Sequence, residues 1–418
     1  MLDAIETKKR GGKLSAEEIR EVVGGYTSGE VPDYQMSALL MAIFIRGMDY
    51  EETLALTEAM ANSGARHSFP GCVDKHSTGG VGDKISFTSL PVVAACGVPV
   101  VKLAGRGLGT TGGTIDKLES IPGFSSVLPE ERMRKQVEEV GLAITEAGDV
   151  APADRAIYAL RDATGTVDSL PLIGSSIVSK KVATGTGYLL YDVKSGSGAF
   201  MKSVDEAREL AKLLVRLSES LDVEASALIT AMDEPLGSAV GNALEVRESV
   251  SFLRGEDSSA DLSEKARVVA TRLLGLKGLL HPEGAVEEAI SSGAAYEKFA
   301  EFVSAQGADP EALEDLPVPR EVREIAAPKE GYVVRFGALD VGRAALLLGA
   351  GREKKGDEID PGAGVEVFVK VGDELEEGQP IAKLYGEQNV ESAKALVLKA
   401  LKISSTPGER HPVILESM

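Results

Sequence analysis

The chain has 418 residues, 43% of them hydrophobic, enough for two or three domains with substantial cores and too many for disorder. Its 45 Lys and Arg face 65 Asp and Glu, a formal charge of −20. That balance excludes sequence-independent nucleic-acid binding, because counterion release needs a clustered basic face. Cys72 and Cys96 are too few and too distant for a disulfide framework or a zinc site, and read as small buried hydrophobes. The charged N-terminus (Asp3, Glu6, Lys8, Lys9, Arg10) is no secretory signal. The most apolar run, Leu90 to Leu103, is broken by Pro91, Gly97, Pro99 and Lys102 and cannot span a bilayer. A soluble, cytoplasmic protein is expected.

In chain order, the first 65 residues read as helices. Ser15 with Glu18, and Asp49 with Glu52, have capping-box spacing, and Asp33 is a further N-cap candidate. Tyr34–Arg46 is apolar on most faces and is expected to be buried or to lie at a subunit interface; Ser63-Gly64 closes the group. From about Val73 short β-rich runs alternate with helices. Strands are predicted at Val98–Leu103, Leu142–Thr145, Tyr188–Val193 and Ala227–Ala231, helices at Asp205–Leu221 and Val240–Arg254. Two helical stretches, Pro152–Thr164 and Leu170–Lys181, interrupt this alternation and are expected to pack on the N-terminal helices. Helices continue to about Ala305. After Pro317-Val318-Pro319, predicted strands at Gly331–Arg335, Gly364–Val369 and Pro380–Tyr385 are separated by Gly-rich turns. This tail has the look of the hammerhead of biotinyl and lipoyl carriers, but no Lys sits at a hairpin tip in the modified-lysine context, so a structural appendage is expected.

The fold class is therefore α/β with a discontinuous N-terminal all-helical domain, a larger α/β domain with a central sheet, and a small C-terminal α+β, hammerhead-like domain. The expected boundaries are 1–66 plus 152–186, 67–151 plus 187–316, and 317–418.

The chemistry concentrates in Lys75-His76-Ser77-Thr78-Gly79-Gly80-Val81-Gly82-Asp83-Lys84-Ile85-Ser86. Glycines leave backbone N–H groups uncovered, and hydroxyls and cations flank them, which suits a polyanion such as phosphate. Ala104 to Thr114 repeats the composition, and two such stretches from adjacent elements imply one anion pocket. Lys75, Lys84, Lys102, Arg106 and Lys117 are dense for so acidic a chain; some of them would instead pair with Asp83, Asp116 or Glu119.

Gly107-Leu108-Gly109-Thr110-Thr111-Gly112 fits the dinucleotide fingerprint only literally, lacking its later acidic residue, and a Walker A ending is absent. For His76 a purely structural role competes with a role in the site, and the flanking Lys75 and Ser77 favour the latter. No covalent nucleophile stands out, which favours direct transfer to a bound anion. Ser176 and Lys180, four apart, share a helix face. With Arg161 they would read the carbonyl and imide edge of a heterocycle; the plainer reading is a capping Ser and a solvated Lys, which the cluster alone favours.

Through these motifs, and through Gly105-Arg106-Gly107-Leu108-Gly109, Thr111 to Glu119, Arg161 to Thr164, Ser169 to Ile173, Asp192-Val193-Lys194 and Gly198-Ala199-Phe200-Met201, the chain closely resembles the thymidine and pyrimidine-nucleoside phosphorylase family. The resemblance implies a helical domain carrying the base site and the contact of a homodimer. It also implies an α/β domain carrying phosphate, and cleft closure that joins the two. Phosphate contacts would fall on Lys75, Ser77, Ser86, Lys102 and Thr114, with Ala104 where the family usually has a donor Ser. Pyrimidine contacts would fall on Arg161, Ser176 and Lys180, and His76 would protonate or polarise the base's 2-carbonyl. Lys75, His76, Arg161 and Lys180 would carry catalysis. No cofactor is implied beyond phosphate as co-substrate, although some members bind a monovalent cation such as K+, at positions matching Gly82, Lys84, Leu236, Ala239 and Glu248.

The activity so implied is reversible phosphorolysis of pyrimidine nucleosides (uridine, thymidine, deoxyuridine) to free base and pentose 1-phosphate. Several residues depart from the pattern: Ala104, Thr110 in place of a usual His, Gly165, Ser195, and Lys84 where cation-binding members use Thr. Losing one neutral donor at Ala104 would cost about 1 kcal/mol. Alternatives are a thymidine-restricted phosphorylase, a phosphoribosyltransferase of the related anthranilate type, and a catalytically silent nucleoside-binding homologue.

Overall fold

The computed structural model describes residues 1–107, 112–256, 258–319, 321–354 and 356–418. The chain divides into two compact units, one made of Met1–Cys72, Ala147–Leu189 and Arg208–Ser226, the other of Val73–Glu146, Leu190–Ala207 and Ala227–Met418.

In the first unit, helices at Leu2–Lys9, Ala16–Ser28, Asp33–Arg46 and Tyr50–Ala61 pack with Pro152–Thr164 and Leu170–Thr184. Both capping boxes form: Ser15 and Asp49 accept from the N–H groups of Glu18 and Glu52, whose carboxylates return the bond. Asp33 is not an N-cap. Pro32, in extended conformation, takes that place, and Asp33 opens the helix with its carboxylate accepting from the Tyr26 hydroxyl at 3.0 Å. The helix Asp33–Arg46 buries only one face. Met36, Leu39, Leu40 and Ile43 join the core with Ile157 and Leu172, whereas Tyr34, Met41, Phe44 and Ile45 are exposed.

The α/β core is a six-stranded sheet of β1 (Phe69–Ser77), β2 (Val100–Ala104), β3 (Leu142–Glu146), β4 (Thr186–Ser195), β5 (Glu224–Ala231) and a C-terminal β13 (Ile414–Ser417), in the order β13-β5-β4-β1-β2-β3. β1 runs parallel to β2 (Val73 beside Val100) and β2 parallel to β3, while β13 lies antiparallel to β5. The stretch read from sequence as a glycine loop thus begins on a strand, since Lys75, His76 and Ser77 end β1. The apolar run after it is a helix, Ile85–Ala95, followed by β2. That helix buries Ile85 to Ala94 on every face and carries Pro91 inside it.

The C-terminal part forms two antiparallel sheets from β7 (Val322–Ala326), β8 (Gly331–Phe336), β9 (Gly364–Val367), β10 (Glu374–Leu375), β11 (Pro380–Tyr385) and β12 (Leu401–Ser404). One is ordered β10-β8-β12. The other is β6-β9-β11-β7, with β6 (Ala239–Gly241) supplied from before residue 317. Strands are therefore exchanged in both directions, β6 into the C-terminal sheet and β13 back to the central one. No helix among the described residues is long and apolar enough to cross a membrane. Cys72 is buried and Cys96 half-buried.

Candidate active site

The C-terminal ends of parallel strands are where open α/β sheets place ligands, because loops diverge there and leave backbone groups uncovered. β1 ends at Ser77 and β2 at Ala104, so both glycine stretches start from that edge. Gly79 and Gly82 have positive φ (91° and 73°), and a Cβ on Gly82 would lie 2.4 Å from the Leu236 carbonyl oxygen. Only glycine fits there. The loop is also tied internally: the Ser77 hydroxyl donates to Asp83 and accepts from the Gly79 N–H at 3.1 Å.

Beneath the loop lies a buried charge cluster. Lys75 Nζ is 3.6 Å from Asp83 and 3.4 Å from Asp192. Lys194 Nζ is 3.2 Å from Asp83 and bonds Asp192 directly. Lys265 Nζ is 3.1 Å from Asp192 and 2.8 Å from Thr230 Oγ1, which itself donates to Asp192 at 2.7 Å. Burial alone would raise Asp83, but Lys194, Lys75 and Lys265 outweigh it and hold the carboxyl well below the usual range. Burial pushes Lys75 down, against the pull of Asp83 and Asp192, and pushes Lys265 down to about 7. With its lysines protonated the cluster sets three ammonium groups against two carboxylates. An uncompensated positive charge in a buried site is costly, and an arriving anion relieves it. His76, half-buried beside Lys75, packs its ring edge-on to Tyr191, with centroids 6.3 Å apart.

Residues flanking the second glycine stretch join this edge through lysine side chains that bond backbone carbonyls. Lys102 Nζ donates to the Lys75 carbonyl and lies 3.5 Å from Asp74, so it holds the backbone that carries Lys75. Arg106 pairs with Glu119 and Glu146, and Lys117 with Glu245 at 2.6 Å while donating to the Asp83 carbonyl at 2.9 Å. Pairing thus takes up much of this positive charge. Thr114 opens a short helix, Thr114–Glu119, Ser86 is buried in the first turn of Ile85–Ala95, and Ala104 is half-buried at the end of β2. Thr110 and Thr111, with Leu108 and Gly109, lie outside the described residues.

Lys84 has no solvent contact. Its Nζ donates to the Leu236 carbonyl at 2.7 Å and pairs with Glu248 at 2.9 Å. Burial alone would lower its pKa, but Glu248 and Glu245 outweigh it and raise it. Glu248 is fixed in turn by the N–H groups of Ser238 and Ala239 at 2.7 and 2.9 Å.

In the helical unit, Arg161 is almost fully buried at the end of Pro152–Thr164. Its Nε, Nη1 and Nη2 donate to the carbonyls of Thr166 (3.3 Å), Leu172 (2.9 Å) and Val167 (2.7 Å). Lys180 donates to Ser176 Oγ at 3.2 Å, one turn back on the helix Leu170–Thr184, and to Asp154 at 2.6 Å. Lys180 is paired, not freely solvated. Asp154 and Arg161, seven apart, lie two turns apart on the neighbouring helix.

Sequence reading missed Asp154, Lys265 and Thr230 and left Asp192 and Lys194 without roles. Lys265 did carry a signal. It stands on a helix, Ala260–Leu276, whose buried face otherwise reads Leu262, Ala266, Val269, Ala270 and Leu273, and a lysine on such a face needs an anionic partner.

Residues 2–64 match the helical bundle domain of a glycosyl transferase family and residues 70–296 its a/b domain. Residues 332–404 match the pyrimidine nucleoside phosphorylase C-terminal domain. The chain is 42% identical to the pyrimidine-nucleoside phosphorylase of Geobacillus stearothermophilus, over 100% of this chain and 99% of that one. It is 44% identical to that of Bacillus subtilis (strain 168), over the full length of both. Among solved structures, anthranilate phosphoribosyltransferase from Thermus thermophilus aligns with a TM-score of 0.59 over 73% of this chain and 99% of that one. At 22% identity, that is a likeness of fold alone. Matched from end to end by such relatives, the chain belongs to the pyrimidine-nucleoside phosphorylase family.

Proposed function

We propose that this chain is a pentosyltransferase of the cytoplasm that catalyses reversible phosphorolysis of pyrimidine nucleosides. Phosphate attacks C1′ of the pentose, the C1′–N1 bond breaks, and base and pentose 1-phosphate are released. The observation that carries the reading is the buried cluster of three lysines and two aspartates under the glycine loop. With its lysines protonated it has a positive excess that an anion would offset, and a phosphate beside C1′ would stabilise the positive charge that develops there. Arg161, Ser176 and Lys180 would take the polar edge of the departing pyrimidine, with His76 at its 2-carbonyl. Ser77, Ser86, Lys102 and Thr114 complete the proposed phosphate set. Incubation with uridine or thymidine, with and without phosphate, tests this: phosphate-dependent release of base is expected, and binding without release overturns it.

The monovalent cation that the family resemblance implies does not fit the residues present. Lys84 already places an ammonium between Leu236 and Glu248, and a Cβ on Gly237 would lie 2.7 Å from its Nζ. Activity should be the same in potassium and in tetramethylammonium salts, and a requirement for potassium overturns this reading. Lys84→Met would strand Glu248, with an expected loss of about 3–5 kcal/mol in denaturant unfolding. Lys84→Thr should be active in potassium and lose that activity in tetramethylammonium.

A homodimer is proposed through the exposed face of Asp33–Arg46, where Tyr34 and Ile45 are 74% and 68% accessible. Ile45→Glu should convert a dimer to a monomer in sedimentation equilibrium. An unchanged mass would move the contact elsewhere.

A further inference from the structure

Gly107, on the second glycine stretch, is held from two sides. Its N–H donates to Asp116 Oδ2 at 2.6 Å, and its carbonyl accepts from Arg352 Nη1 at 3.4 Å. The same Arg352 nitrogen donates to Asp116 Oδ1 at 2.7 Å, from a position 236 residues further along the chain. Arg352 is itself fastened by Nε to the Asp357 carbonyl at 3.0 Å. Asp116 is 3% exposed, so this is an enclosed bridge, not a loose surface pair. Gly107 in turn abuts Gly113: a Cβ on Gly113 would lie 2.1 Å from Gly107 N. Whatever fixes Gly107 therefore fixes the backbone that delivers Thr114.

We propose that Arg352 is a positioning residue for phosphate, through which the C-terminal domain holds Gly107, and with it Gly113 and the start of the helix at Thr114, in place. The proposal rests on the phosphorolysis reading above and goes beyond the expectation of a structural appendage. Arg suits the task because its rigid fork lets Nε hold the Asp357 carbonyl while Nη1 bonds Asp116 and Gly107, which a lysine's point charge does less well.

The test uses the full-length chain, with phosphate varied at saturating uridine and uridine varied at saturating phosphate. Arg352→Met should raise KM for phosphate about tenfold or more, the equivalent of losing one charge-assisted contact. KM for uridine should stay near its original value, and Arg352→Lys should recover part of the loss. An unchanged phosphate KM in folded Arg352→Met overturns the proposal, as does an equal rise in both KM values. Should Arg352→Met fail to fold, Arg352→Lys decides: a rise confined to phosphate KM supports the proposal and no rise overturns it. If the natural chain releases no base, the phosphorolysis reading fails by itself. Calorimetric titration with inorganic phosphate then decides: weaker binding to the Arg352 variants supports the proposal, equal binding overturns it.

Discussion

Lys75→Ala should lower kcat/KM for phosphorolysis by about three orders of magnitude, the scale seen when a preorganised charge-stabilising group is removed from a water-poor site. The fold should survive. Lys75 faces two aspartates that Lys194 and Lys265 also hold, and without it two ammonium groups balance two carboxylates. The substitution thus removes the positive excess and leaves the buried pairs closed. Lys194→Ala makes the contrast. It strips Asp83 and Asp192 of a direct partner, so it should lose stability as well as activity, by about 3–5 kcal/mol in unfolding. Full activity of folded Lys75→Ala would take that lysine out of the mechanism. A loss of folding equal to that of Lys194→Ala would make it structural.

The readable parts of this fold were those whose causes are local. Ser15 with Glu18 and Asp49 with Glu52 each satisfy one another's backbone within a single turn, so four residues suffice to recognise them. β2, β3 and β5 are short apolar runs bounded by turns. β1 was hidden because Phe69–Ser77 carries Pro70, Gly71, Asp74, Lys75 and His76, and the polar side chains in it are satisfied by segments far along the chain. The helix Ile85–Ala95 was hidden for the opposite reason, since burial on every face erases the amphipathic period that marks a helix. In the site, glycine and lysine spacing pointed to an anion, yet not to how many lysines are already paired. Asp154, an acidic residue in a first helical turn, carries no signal of its own, because only the packing of two helices brings Lys180 to it. Arg352 has no local signal at all, because its partner Asp116 is remote in sequence and the pair exists only once the C-terminal part has folded.

Arg161→Ala should reduce phosphorolysis to background and also destabilise the helical unit, and the two losses have different origins. Three of the guanidinium's five N–H groups already serve the carbonyls of Thr166, Val167 and Leu172, fastening the end of one helix to the first turn of the next. A buried acceptor left without its donor costs about 1–3 kcal/mol, so the three together predict a loss of about 3 kcal/mol or more in unfolding free energy. In the proposed reading the two remaining N–H groups would serve a pyrimidine carbonyl, where negative charge would gather as the glycosidic bond breaks. Arg161→Lys separates these roles, since it keeps the charge but cannot span three carbonyls and a substrate at once. Its unfolding midpoint should fall between those of the natural chain and Arg161→Ala, while its kcat/KM should stay low. Were Arg161→Lys to regain full turnover despite reduced stability, charge alone would suffice at this position. If both variants turned over normally, Arg161 would be a loop fastener, and the pyrimidine would have to be held by Ser176 and Lys180 without it.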